Sequence, residues 1–179
     1  MINFGNKKPG IDENPIKEMR GIKLRDGSTM RIRRGQTYHS DEGVVYGALQ
    51  AYREIVGGEM LVGELRYSFP GVENARLDSV VLNPKAPQLI GIGSAMLGFF
   101  LVDALVDQRR RYVLATSRYD PVLARFMQDN GFEVTSFKHR KEVRYSIYAN
   151  DEVKMREIRE RRNDLARVAE YEEEYGYFS

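Results

Sequence analysis

The sequence predicts an α/β domain with a polar N-terminal arm and a C-terminal helical extension. Three observations carry that prediction. Short runs rich in β-branched and aromatic residues recur before residue 82 and again over 112–148, parted by glycine, proline and asparagine turns. Between them, from Gly91 to about Gln108, lies a helical run that is apolar nearly all round, the pattern of a buried helix. From Asp151 onward the chain changes to a long, highly charged helical pattern. The expected divisions are an arm at 1–19, a domain at 20–150 and a helix at 151–179. A chain of 179 residues is long enough to bury one sizeable core.

The elements follow in order. Residues 1–19 are polar and carry Pro9, Gly10 and Pro15, so they read as a loosely structured arm. Residues 23–33 read as a hairpin around Asp26-Gly27. A second hairpin pairs Val44–Tyr52 with Met60–Tyr67 around Val56-Gly57-Gly58, and Pro70-Gly71 closes it. Arg76 to Leu82 is a strand, stopped by Asn83-Pro84 and Pro87. After the apolar helix, Tyr112 to Thr116 is a short strand. Asp120-Pro121 then opens a helix in the expected order, acidic cap before proline, and Asn130-Gly131 ends it. Phe132–Phe137 and Val143–Tyr148 make a last pair of strands. In the C-terminal helix Val153, Met155, Ile158, Leu165, Val168 and Ala169 form a sparse apolar stripe. That stripe lies either on the domain or against a second copy or partner protein.

Composition narrows the function. The chain has no cysteine, which excludes disulfides, thiolate nucleophiles and cysteine zinc sites and suits a reducing cytoplasm, the expected compartment. Its two histidines, His39 and His139, have no acid cluster nearby, so no metal site is expected. No apolar run is long enough to span a bilayer, and the first residues lack the apolar core of a signal peptide, so no membrane partner is expected. The net charge of +2 gives little general attraction to nucleic acid, although basic clusters occur at Arg31-Arg34, Arg109-Arg111 and Lys138-Lys141.

The stretch Gln88-Leu89-Ile90-Gly91-Ile92-Gly93-Ser94 joins a strand to the apolar helix. Glycines there permit a tight turn and close approach of a ligand, and a helix N-terminus offers N–H groups to phosphate oxygens. A Walker loop needs a lysine that Gly93-Ser94-Ala95 lacks. A dinucleotide fingerprint needs a third glycine where Met96 stands. The loop instead resembles that of the GNAT acetyltransferases, whose pattern is Gln or Arg, two residues, Gly, one residue, then Gly or Ala. Gln88, Gly91 and Gly93 match each fixed position. The order of strand, loop, buried helix, short strand, Asp-Pro helix and Gly131-Phe132 resembles the family as well, over residues 44–148.

The resemblance implies a mixed, mostly antiparallel, splayed sheet flanked by helices, and a domain that binds acetyl coenzyme A. It places Leu89, Ile90, Gly91, Ile92, Gly93 and Ser94, with Gln88, around the pyrophosphate. It places Val80, Val81 and Leu82 along the pantetheine arm, with Asp120 near the cofactor. Phe126 is either a contact to that arm or plain core. Asp78 stands where the family often has a glutamate and is either the base that deprotonates an amine or a surface residue. Strict alternation sets Asp78, Val80 and Leu82 on one strand face.

Two departures stand out. Met127 occupies the position of the family's usual tyrosine acid, which leaves Tyr119 and Ser117 as candidate proton donors. Only residues 34–43 lie where the family places one or two helices that wall the acceptor site. The expected function is transfer of an acetyl group from acetyl coenzyme A to an amine acceptor, a protein amine among the candidates. The alternative is a catalytically inactive GNAT-fold protein that serves as a binding or assembly module.

Overall fold

Turn chemistry and strand length lay out the sheet. The long hairpin closes on Val56 and Gly57, with Ile55 facing Gly58, and its arms run as β4 (Val45–Ile55) and β5 (Gly58–Phe69). The computed structural model describes residues 18–23, 29–84, 91–137 and 142–160. Among these, β1 (Glu18–Lys23) and β2 (Thr29–Arg34) form the first hairpin. The two-residue β3 (Tyr38–His39) and β6 (Asn74–Leu82) follow on either side of the long hairpin. The helix α1 (Ile92–Leu101) continues as a π-helix over Val102–Asp107. Then come β7 (Tyr112–Arg118), α2 (Pro121–Asp129), β8 (Glu133–Phe137), β9 (Glu142–Tyr148) and α3 (152–160). The Asp26-Gly27 turn, residues 1–17, the segment 85–90, His139 and residues 161–179 lie outside the described residues.

One sheet results, in the order β1-β2-β4-β5-β6-β7-β9-β8, with β3 paired to β4. Every pairing is antiparallel except β6 with β7. The expected mixed, mostly antiparallel α/β architecture is therefore what the chain adopts. Between β2 and β4 the described chain holds no helix, only β3 and its flanking turns.

The apolar helix is buried as its composition requires. Met96, Leu97, Phe100 and Leu101 are fully covered, and Phe100 stacks at 5.2 Å on Tyr67 of β5. Gly63 on β5 lets the helix approach, since a Cβ there would meet the Met96, Leu82 and Ile92 side chains. The change to π geometry at Val102 coincides with a buried acid. Asp103 accepts from Arg34 of β2 and from Gln108 Nε2 at 2.9 Å, which ties the helix end to the far strands. Met155 and Ile158 of α3 join the core at 4% and 3% exposure, so this part of the C-terminal helix packs on the domain. Lys154 pins it further through Glu133 at 3.0 Å.

Among the described residues no helix is long and apolar enough to cross a membrane. No group of three His, Cys, Asp or Glu side chains is arranged to hold a metal among them either.

Candidate active site

The parallel strands β6 and β7 pair over three residues: Asn74 with Tyr112, Ala75 with Val113, Arg76 with Leu114. Both strands then continue, to Leu82 and Arg118, without pairing to each other. The cause lies on the other side of β6. Against β5 the register slips by one, with Ser79 opposite Arg66 but Leu77 opposite Tyr67, so Asp78 is an extra residue. Such a bulge bends its strand and increases the twist. β6 bends just where its pairing to β7 ends, while β7 stays on β9 as far as Arg118. The sheet is splayed at this point.

The bulge also changes which residues share a face. Alternation back from Leu82 would place Asp78 beside Val80, but the slip breaks the count. Asp78 sits between the two register pairs, with its Oδ1 3.1 Å from Arg76 Nε.

The splay leaves a cleft of about 240 Å³. Leu77, Asp78, Ser79 and Val80 form one wall; Ser117, Met127 and Tyr145 lie on the other. Beyond Arg76 the facing edges of β6 and β7 have no ladder partner among the described residues, an arrangement that suits an extended ligand. Tyr145 is buried on β9, opposite Ala115 in register, and reaches the cleft from beneath. Its hydroxyl lies 3.5 Å from Ser117 Oγ, too long for a good O–H···O bond, while Ser117 Oγ donates to the Arg118 carbonyl at 2.8 Å.

The glycine loop ends beside the same strand. Gly91 caps α1 with φ at +106°, a conformation that L side chains rarely adopt, and no side chain caps the helix. Ala95 N–H already bonds the Gly91 carbonyl, which leaves the first-turn N–H groups of Ile92, Gly93 and Ser94 without intrahelical partners. A Cβ at Gly91 would meet nothing within 4 Å among the described residues. Ile92 is buried beneath it and Ser94 is exposed. Gln88, Leu89 and Ile90 lie outside the described residues.

The remaining sequence candidates have definite places. Phe126 packs its ring against α1, 3.3 Å from where a Gly93 Cβ would stand. Asp120 caps α2, its Oδ1 accepting from Val122 N–H at 2.8 Å and Leu123 N–H at 3.1 Å. Val81 and Leu82 are 59% and 48% exposed and, unlike Val80, do not line the cleft. Tyr119 is 64% exposed and also lies outside the cleft lining. The structure thus brings together Asp78, Val80, Ser117 and Met127, and adds Tyr145, which sequence reasoning missed. The signal for Tyr145 was its buried alternation with Val143 and Ile147, but nothing local says that β9 lies next to β7.

No protein-family model and no curated protein matches this chain. Solved structures do. The GNAT domain of S. lividans PAT superposes with a TM-score of 0.55 over 73% of this chain and 96% of its own, at 16% identity. A GNAT-family acetyltransferase from Bacillus anthracis is 18% identical over 58% of this chain and 67% of its own, with a TM-score of 0.47. The N-acetyltransferase PseH of Campylobacter jejuni, in complex with acetyl coenzyme A, is 10% identical over 61% and 70%, also with a TM-score of 0.47. Only the first is similar enough to bear on the assignment. With the splayed sheet and the glycine-capped helix, it shows that this chain has the fold of the GNAT acetyltransferases.

Proposed function

We propose that the chain transfers an acetyl group from acetyl coenzyme A to an amine, with the splay between β6 and β7 as the reaction cleft. The observation that carries this reading is the cleft itself: two unpaired strand edges, a carboxylate on one wall and hydroxyls on the other. The residues present suit the ligand. An amide-bearing pantetheine arm suits the backbone groups of β6 beyond Arg76, and the first-turn N–H groups of α1, with no side-chain cap, suit a pyrophosphate.

Acetyl coenzyme A supplies a thioester, an acyl group already activated for transfer. As the amine nitrogen bonds the acetyl carbon and the carbon–sulfur bond breaks, the nitrogen sheds a proton and the sulfur takes one. Asp78 is the carboxylate in the cleft to receive the first, oriented by Arg76. The second comes from the opposite wall. A phenol is a better acid than an alcohol, so Tyr145 is the donor there, with Ser117 beside it. The exposed Tyr119 drops out of this role.

Steady-state kinetics on D78N and Y145F test the reading. Each variant is expected to lose about 100-fold or more in kcat while binding acetyl coenzyme A as the parent does. Unchanged turnover in both would contradict the assignment of roles.

A second reading, a binding or assembly module without catalysis, is favoured by one residue. Met127, which cannot donate a proton, lines the cleft where the GNAT resemblance puts a tyrosine. Tight binding of acetyl coenzyme A with no transfer to any amine would select this reading.

A further inference from the structure

We infer that the face of β4 and β5 opposite α1 carries the acceptor subsite, and that it takes a peptide-like amine with a carboxylate close to the reacting nitrogen. The inference rests on the transferase reading for the chemistry but not for the binding.

Along β4, Leu49 and Ala51 point into the core, so Tyr46, Ala48 and Gln50 face the other way. Register sets Arg66 opposite Ala48 and Glu64 opposite Gln50 on that same face. Among the described residues no helix follows β2 to cover it, and a groove of about 510 Å³ remains. Its floor is low because the small residues Gly35 and Ala48 form it, with Gly35 N–H bonded to the Ala48 carbonyl at 2.9 Å. At one end Tyr38 and Tyr46, 59% and 41% exposed, pack their rings with centroids 5.7 Å apart.

At the other end stands Arg66. Glu64 Oε1 holds its Nε at 2.6 Å, and Glu64 Oε2 accepts from Gln50 Nε2 at 2.9 Å. Gln50 Oε1 in turn accepts from the Tyr52 hydroxyl at 3.0 Å. Each Glu64 oxygen thus accepts one hydrogen bond from within the groove. The groups left over are the two terminal nitrogens of Arg66, which have no partner among the described residues, on a side chain 68% exposed. A guanidinium anchored through Nε presents those two nitrogens as a planar fork matched to a carboxylate.

The groove and the cleft are lined by neighbouring strands at this arginine, which belongs to the groove alone. Arg66 faces Ser79 across the strands, and Ser79 and Asp78 line the cleft. Neighbouring strands are about 4.8 Å apart. A carboxylate on Arg66 therefore sets an amine only a few bonds away at Asp78, and roughly 10 Å more chain reaches the tyrosine pair. An extended peptide with an acidic residue at its amino end fits that layout.

Calorimetric titration of the full chain with two dipeptide amides, Asp-Tyr-NH2 and Asn-Tyr-NH2, tests the inference without acetyl coenzyme A. The aspartyl peptide is expected to bind at least tenfold more tightly at low salt, and R66Q to erase that difference without lowering the thermal midpoint by more than a degree or two. Joint replacement Y38A and Y46A is expected to weaken both peptides alike. Equal affinities, no measurable binding of either peptide, or a preference that persists in R66Q would overturn the inference. Because the titration omits acetyl coenzyme A, failure of that ligand to bind contradicts only the transferase reading. In the presence of acetyl coenzyme A, the same preference is expected in the acceptor KM and not in kcat.

Discussion

Gly91 joins the helix to the loop proposed to hold the cofactor. Its φ of +106° disfavours any side chain on conformational grounds, although a Cβ there would meet nothing within 4 Å among the described residues. G91V is expected to cost about 1–3 kcal/mol of stability through backbone strain alone. It is also expected to abolish acetyl coenzyme A binding in a calorimetric titration; unchanged affinity would remove the loop from the proposed site. Glu64 gives a pH signature on the same scale. The hydrogen bond from Gln50, then that from Arg66, holds its carboxyl below the ordinary glutamate value of 4.5 against the opposing effect of burial. A depressed pKa in the folded state contributes stability that is present above the unfolded value and lost as pH falls through the folded one. Urea unfolding of E64Q is therefore expected to show a deficit against the parent at pH 7 that shrinks or vanishes near pH 3. A deficit that stays constant across that range would show that the ion pair does not hold in solution.

At the scale of elements the decisive feature is the extra residue in β6. It bends the strand away from β7 and so makes the cleft. Strands, the Asp120 cap and the buried helix were legible in the sequence because each rests on local pattern: alternation, a capping residue, an apolar run. The observed strands mostly extend those readings, as β6 does back to Asn74 and β7 on to Arg118. The bulge was not legible, since a slip of register depends on the partner strand. Nor was Tyr145, whose place in the cleft depends on β9 lying between β7 and β8. The π-helical turns coincide with another pairing that no local pattern reveals, that of the buried Asp103 with Arg34. The hairpin β4–β5 carries its own prediction. A Cβ at Gly47 would stand 2.5 Å from the Tyr67 ring, which is buried and stacked on Phe69 and Phe100 at 5.2 Å each. G47A is expected to cost about 1–3 kcal/mol in denaturant unfolding. No change in the midpoint would mean that Tyr67 has somewhere else to go.

For the whole molecule, one sheet carries α1 against one face of β4 and β5 and leaves the opposite face of those strands to polar side chains and the groove. The start of the C-terminal helix is spent on the domain through Met155 and Ile158, while Val153 remains 56% exposed. The central claim, that the splayed cleft of this GNAT fold takes acetyl coenzyme A, is tested most directly by thermal unfolding with and without the ligand, paired with titration calorimetry. Ligand at a hundred times its dissociation constant adds about 2.7 kcal/mol. For a domain of this size the midpoint is predicted to rise by roughly 5–10 °C. An unmoved midpoint with no heat of binding would contradict the claim.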